Sequence, residues 1–450
     1  MHPNLPFPFR AFAGKASRGF NGYGPPHLMQ TSMRLLGRRR FLPIFTTQFL
    51  GAFNDNLFKT SMVLFATYQV YSDPKVETQF NALATGLFIL PFFLLSALSG
   101  QLADTRDKAG IVRIVKTAEI GIMVAGGAGL LLPSIPLMLA AVLAMGVHST
   151  FFGPIKYAIL PQHLEPDEVL GGTGLVEAGT YISILAGTIL AGFISPKEAT
   201  MIVLGVALLG WFAGRQVPPA PPLHEEHTFD WHIVRASVRL VNATMHIPRL
   251  FLAICAISFF WTIGAVLIIE FPPLVKNVLT SDQQVASLFL AVFSVGVAIG
   301  SVAINRLLKG QVSARYAPGS VIAMAGFILL LYAVARSWIG DHPGQLYDIH
   351  EFVRHPSALV LLIALLGVAV TGGMFVVPLY AFLTTTVDKD QTARTVAANN
   401  IVNSGAMVVG SLLAFTLSAL GVLAVDQLLM VTGMCFVSAW LAWKLHLACD

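Results

Sequence analysis

The sequence predicts an all-α membrane protein of twelve transmembrane helices arranged as two pseudo-symmetric six-helix halves, and three observations carry that expectation. Of 450 residues, 55% are hydrophobic and only 11% charged, where a soluble domain is about 25% charged; the mean hydropathy is +0.73. Apolar runs of about 20 residues, the length a helix needs to span a bilayer, recur along the chain. Short motifs of the first half return in the second at a nearly constant offset.

The apolar runs, bounded by Pro, Gly or charge, fall at 42–70, 82–103, 111–131, 136–160, 170–194 and 199–214, then at 250–275, 284–305, 316–336, 357–384, 394–418 and 421–445. They define a first half over 41–214 and a second over 250–450. Between them, 215–249 is a linker with Pro218, Pro219, Pro221, Pro222 and the polar run HEEHTFDWH. Residues 1–40 hold seven Lys and Arg, no Asp or Glu and no apolar core, so they are expected to form a disordered cytoplasmic tail rather than a cleaved signal peptide. Met29 and Met33 are alternative starts.

With the tail in the cytoplasm, 21 of the 28 Lys and Arg fall on the tail side, including Lys116 in the loop after the second span. Five fall on the other side, and Lys59 and Lys156 lie inside helices. The positive-inside rule then places both termini and the linker in the cytoplasm. The basic residues are dispersed, which argues against a nucleic-acid partner. Cys255, Cys435 and Cys449 read as packing residues.

YAIL at 157–160 returns as YAFL at 380–383, and GLVEAG at 174–179 as NIVNSG at 400–405, so that Glu177 corresponds to Asn403. Glu165 and Asp167 return as Asp388 and Asp390. Two six-helix halves in parallel repeat, with substrate bound between them, is the major facilitator architecture.

Polar residues inside the spans are the candidate site, because a charge in the bilayer persists only with a partner or a task. Asp55, flanked by Asn54 and Asn56, lies about 20 Å from the start of the first span at 1.5 Å per residue. Lys59, one turn on, is its structural partner in the simplest reading. Lys156 and Glu177 sit at matching depths and can pair across one cavity, or Lys156 can snorkel to the interface. Asn399, Asn400 and Asn403 open the eleventh span; Asn400 with Asn403, and Asn399 with Asn403, share a face, as cavity lining or as interhelical glue. Glu270, before Pro272 and Pro273, marks a broken helix near an outer gate or an interfacial residue. In GQLADTRDKAGIVR, Asp104 with Arg106, Lys108 and Arg113 forms a candidate gate, an acid at a helix end taking charge-assisted bonds from a neighbouring helix; ordinary loop charges are the plain alternative. The second copy, Gly300 with Asn305 and Arg306, lacks the acid.

QFLGAFNDNLFK (48–59), GPIKYAIL (153–160), TGLVEAGT (173–180), GGMFVVPLYA (372–381) and AANNIVN (397–403) together resemble the bacterial lysophospholipid transporter family, above all the transporter domain that some members fuse to a 2-acylglycerophosphoethanolamine acyltransferase. The resemblance implies transfer of lysophosphatidylethanolamine and lysophosphatidylglycerol from the outer to the inner leaflet of the inner membrane for reacylation, with a cytoplasmic acyltransferase as a partner. It matches Asp55, Lys156 and Glu177 to the family's polar cavity residues. Single-domain members carry a basic residue in the seventh helix that falls near Ile268 here, which is apolar.

The chain contains no His-x4-Asp acyltransferase spacing and no phosphate-binding Gly-rich loop with Lys, so a covalent enzyme and an ATP-driven pump are excluded and no cofactor is expected. A proton-coupled transporter of another amphipathic or small solute and a non-transporting scaffold for an acyltransferase are the alternatives.

Overall fold

The computed structural model describes residues 34–165, 168–222, 232–309, 313–338, 345–387 and 389–449. The tail up to residue 33 and the loop acids Asp167 and Asp388 lie outside them. The first half comprises α1 (Leu42–Phe65), α2 (Pro74–Thr105), α3 (Lys108–Leu131), α4 (Ile135–Ala158), α5 (Val169–Ala191) and α6 (Pro196–Arg215). The second comprises α7 (Pro248–Asn277), α8 (Gln283–Leu307), α9 (Ala317–Arg336), α10 (Ala358–Thr385), α11 (Lys389–Ala419) and α12 (Ala424–Cys449). Each agrees with its expected run, and the extra turns come from polar caps that hydropathy does not register. Asp73, Asp107, Ser195 and Asp282 accept backbone N–H bonds at the starts of α2, α3, α6 and α8, satisfying donors that helix ends leave free.

Eleven of the described helices are long and apolar enough to cross a membrane. The twelfth, α1, is as long, but Thr46, Thr47, Gln48, Asn54, Asp55, Asn56 and Lys59 make it the polar span. It can afford them because it packs against α5 and α6. Its last turn widens into a π-helix over Ala66–Val70.

The repeat in the sequence is a repeat in packing. In the first half α1 packs on α5 and α6, α2 on α4, and α3 on α4 and α6; in the second α7 packs on α11 and α12, α8 on α10, and α9 on α10 and α12. Glycines mark two of these crossings. A Cβ on Gly146 of α4 would strike the Phe88 carbonyl of α2, and one on Gly373 of α10 would strike the Val297 carbonyl of α8. Bare backbone at a crossing lets membrane helices approach closely enough for dispersion to hold them.

Between the halves the symmetry weakens. α2 lies along α11, with Lys75 bonded to Ser418, Gly86 against Ser411 and Phe93 against Gly405. The counterpart pair, α5 and α8, has a smaller contact, which includes Gly192 against Ser287. The linker contributes an amphipathic helix, Ile233–Met245, that packs on α2, α7 and α11.

The structure corrects three expectations. Lys116 is not a loop residue: it is fully buried inside α3 and leaves the topological tally, which it barely changes. α7 runs unbroken through Pro272 and Pro273. Glu270 is fully buried, with neither carboxylate oxygen hydrogen-bonded, so it is not interfacial. Cys435 is buried and Cys255 half-buried, both free.

Candidate functional site

Polar side chains between the halves form three layers along the helix axes. Nearest the linker, α4 presents Lys156 and Tyr157 in its last turn, and the Tyr157 hydroxyl donates to Glu177 of α5. In the second half Asn403 of α11 donates to the Tyr380 hydroxyl at 3.3 Å and accepts from Ser258 Oγ at 2.8 Å. Asn399 and Trp261 also donate to Tyr380, at 3.5 and 2.7 Å. Tyr157 with Glu177 and Tyr380 with Asn403 are the repeated motifs brought into contact, so the pseudo-symmetry reaches single hydrogen bonds.

One expected contact is replaced here. Lys156 makes no ion pair with Glu177 within 4 Å; its Nζ lies 4.7 Å from the Tyr157 ring centroid, and the tyrosine hydroxyl takes the carboxylate. Of the two expected asparagine pairings, the structure brings together Asn399 and Asn403, both buried and both donating to Tyr380, whereas Asn400 is exposed.

The middle layer is built on α1. Asp55 Oδ2 accepts from Ser149 Oγ of α4 at 2.5 Å, and its Oδ1 is buried without a partner. The expected Asp55–Lys59 ion pair is absent. Lys59 Nζ instead lies 4.9 Å from the Phe88 ring centroid of α2, and Lys59 lines a small cavity together with Asn81, Thr85, Ile268, Pro272 and Leu290. Ile268, where a basic residue is expected from the single-domain relatives, lines the same cavity as Lys59. The cavity keeps a cation, supplied by the opposite half.

Behind Asp55 lies a cluster that sequence reasoning misses. Glu119 of α3, 1% exposed, accepts from Lys116 Nζ at 2.5 Å and from Asn54 Nδ2 at 3.0 Å. His148 Nε2 of α4 stands 3.3 Å from the same carboxylate, outside good hydrogen-bond alignment. Gly210 and Gly214 of α6 make room for the Lys116 side chain. The signal was a Lys and a Glu three apart inside an apolar run.

The outer layer joins the halves at the end opposite the linker. Glu77 of α2, fully buried, receives Lys276 Nζ at 2.5 Å and Asn277 Nδ2 at 2.6 Å from α7. Lys276 also donates to the carbonyls of Thr67 and Tyr71, and the Tyr68 hydroxyl donates to the carbonyls of Ser281 and Asp282. Burial holds the Asp282 carboxyl above the ordinary carboxylate range, with Asp348 and Glu351 nearby adding to the rise against two backbone N–H bonds from Val285 and Gln284.

At the linker end, Asp104 and Arg106 are exposed, and Asp104 makes no hydrogen bond or ion pair among the described residues. Its neighbour Asp107 anchors the loop, capping α3 and accepting from Ala220 N at 2.8 Å. Lys108 donates its backbone N–H to Ala220 O, and Arg113 reaches Val217 O. The motif thus grips the segment after α6 in its own half.

Two repeated bundles enclosing layered polar groups, joined at one end, define a membrane transporter that moves its substrate between the halves. The chain belongs to the Major Facilitator Superfamily, whose family model matches residues 44–411. Among its curated relatives, it is 25% identical over 350 residues to the lysophospholipid transporter LplT of Photorhabdus laumondii, covering 76% of this chain and 78% of the relative. It is 24% identical over 372 residues to that of Salmonella newport, covering 80% and 82%. Similar solved structures share the fold: the nucleoside transporter NupG, with a TM-score of 0.65 at 12% identity over 90% of this chain and 99% of the other, and an inward-facing bacterial homologue of the lysosomal transporter Spinster, with 0.63 at 12% over 94% and 99%.

Proposed function

We propose that the chain carries lysophospholipids, chiefly lysophosphatidylethanolamine and lysophosphatidylglycerol, from the outer to the inner leaflet of a bacterial inner membrane by alternating access. The observation that carries this reading is the pair of membrane-embedded cations, Lys59 and Lys156, standing at two depths in α1 and α4 of the first half. A phosphate headgroup crossing a low-dielectric interior needs a positive partner at each stage, and Val63, Leu64, Ile268 and Leu290 beside Lys59 offer apolar contact to an acyl chain. Names of relatives at 24–25% identity point to the same substrate class.

In this reading Lys59 and Lys156 take the phosphate in turn. Asp55, with Asn54 behind it, and Glu177, with Asn403 and Asn400 opposite, balance the charge and contact the amine or glycerol. Asp104 with Arg106, Lys108 and Arg113 closes the linker end in the opposite state, while the Glu77–Lys276 contact keeps the outer end shut in this one. The termini and linker face the cytoplasm, where an acyltransferase consumes the product.

Purified protein in proteoliposomes tests the proposal. Labelled lysophospholipid added outside should become inaccessible to extraction, with ethanolamine and glycerol headgroups competing. Extraction kinetics equal to those of protein-free vesicles for every headgroup would overturn it. Movement of a headgroup-free amphiphile at the same rate would show a different substrate.

A further inference from the structure

The linker helix Ile233–Met245, which packs on α2, α7 and α11, sorts its side chains into three rows. Ser237, Leu240 and Thr244 form the inner row, with Thr244 buried and the other two half-buried. Val234 and Val238, four apart and so on one face, stay uncovered at 74% and 51% exposure. Arg235 and Arg239, each one residue round from a valine, are exposed as well. A single exposed valine is ordinary, but an apolar row running beside a basic one on a short helix is the pattern of a helix that lies in a membrane interface.

Position gives that face its surroundings. α7, long and apolar enough to cross a membrane, starts at Pro248, three residues after Met245, and three residues reach at most about 11 Å even when fully extended. The end of the linker helix is therefore held at headgroup level. Across the junction Ile247, Arg249 and Phe251 are exposed, so apolar and basic groups both continue into the first turn of α7. From His232 to Ile269 the sequence contains no Asp or Glu. Arg235, Arg239 and Arg249 make no ion pair or hydrogen bond among the described residues.

We propose that the linker helix and the first turn of α7 form a docking site for anionic phospholipid of the leaflet at the linker end, and that the docked lipid anchors the linker across both halves. The three arginines take lipid phosphates by charge-assisted bonds, their aliphatic stems lying along the apolar row. Val234, Val238, Ile247 and Phe251 enter the boundary between headgroups and acyl chains. A soluble acidic protein matches the charge but not the apolar row, whereas a lipid surface within reach of Pro248 matches both. Because the helix packs on α2 of the first half and on α7 and α11 of the second, lipid that holds it acts on both halves at once. The site stands apart from the polar layers between the halves, and the inference does not depend on which substrate they carry.

The test reads binding without transport. The full chain, with its native cysteines replaced by alanine and a fluorophore on Val234→Cys, is reconstituted in phosphatidylcholine vesicles containing spin-labelled phosphatidylglycerol or spin-labelled phosphatidylcholine. Phosphatidylglycerol should quench several-fold more strongly, and the difference should shrink as salt is raised. Arg235→Gln, Arg239→Gln and Arg249→Gln should each lower the preference by up to about fivefold, while lysine at the same three positions should keep it. Backbone amide exchange over residues 233–245 should slow when phosphatidylglycerol is present, in the wild type and not in the triple glutamine variant. Equal quenching by the two lipids overturns the anionic site, and quenching by neither puts the valine row in water or under another protein and overturns it too. A preference that survives in the triple glutamine variant overturns the assignment to these arginines. Amide exchange indifferent to phosphatidylglycerol overturns the anchoring.

Discussion

Lys276 of α7 places its ammonium 2.5 Å from Glu77 Oε1 of α2, inside a shell completed by the carbonyls of Thr67 and Tyr71. The pair lies across the two halves, at the end where they meet. A buried ion pair with all its remaining valences satisfied costs about 3–5 kcal/mol to break from one side. Glu77→Gln should therefore shift the population toward an outward-open form by at least about tenfold. Reactivity of a cysteine introduced at Tyr71, in an otherwise cysteine-free chain, measures it; unchanged reactivity would mean that apolar packing of α2 on α7 alone holds the end shut.

Lys59 lines the cavity and makes no ion pair with Asp55, so removing both charges should not rescue transport. Asp55→Asn with Lys59→Met is expected to fold and stay inactive. Lys59→Ala alone should lower uptake by about 10- to 100-fold, the worth of a charge-assisted hydrogen bond of ~1.5–3 kcal/mol. Uptake at matched membrane abundance decides; full activity in the double variant would return both residues to a structural role.

Lys156→Ala should abolish uptake of both headgroups, and Lys156→Arg should keep part of it, because the charge persists in a different geometry. Glu177→Gln should be milder than Glu177→Ala, since an amide still accepts from the Tyr157 hydroxyl. Tyr157→Phe should resemble Glu177→Ala. Wild-type rates for Lys156→Ala would reduce this lysine to an interfacial anchor.

Lys116 and Glu119 are paired at 2.5 Å with both side chains almost wholly buried. Lys116→Met or Glu119→Gln alone should cost about 3–5 kcal/mol through the orphaned partner. The double variant Lys116→Met, Glu119→Leu should recover part of it, limited by Asn54, which loses its acceptor. Thermal unfolding in detergent gives the three values, and additive single losses would deny the pairing.

Asp107 and Asp104 separate stability from gating. Asp107→Ala removes a helix cap and the bond to Ala220 N, so it should destabilise by about 1–2 kcal/mol. Asp104→Asn, exposed and unbonded here, should leave the unfolding temperature unchanged and lower turnover. Equal effects of the two on stability would make the whole motif a structural clasp.

Hydropathy and repeats were enough to place the helices, because bilayer thickness dictates run length and a duplicated half repeats its packing. Tyr157 and Tyr380 could be aligned from sequence for that reason, but their contacts with Glu177 and Asn403 could not, and Glu177 was expected to meet Lys156 instead. Asp55 and Lys156 were legible as well, since charge is expensive in hydrocarbon wherever it occurs. Partners were another matter. Lys59 is one turn from Asp55, yet it lines a cavity with residues of α7 and α8 instead of pairing with it, and Lys116 reads as a loop cation until α1, α4 and α6 close around it. Glu77 and Lys276 are about 200 residues apart, and each alone is an ordinary residue at a helix end. Which charges meet depends on helix rotation and on how the two halves face each other, quantities set by side-chain packing between distant segments. That packing, and with it the pairing of every ion in the membrane, belongs to the tertiary structure alone.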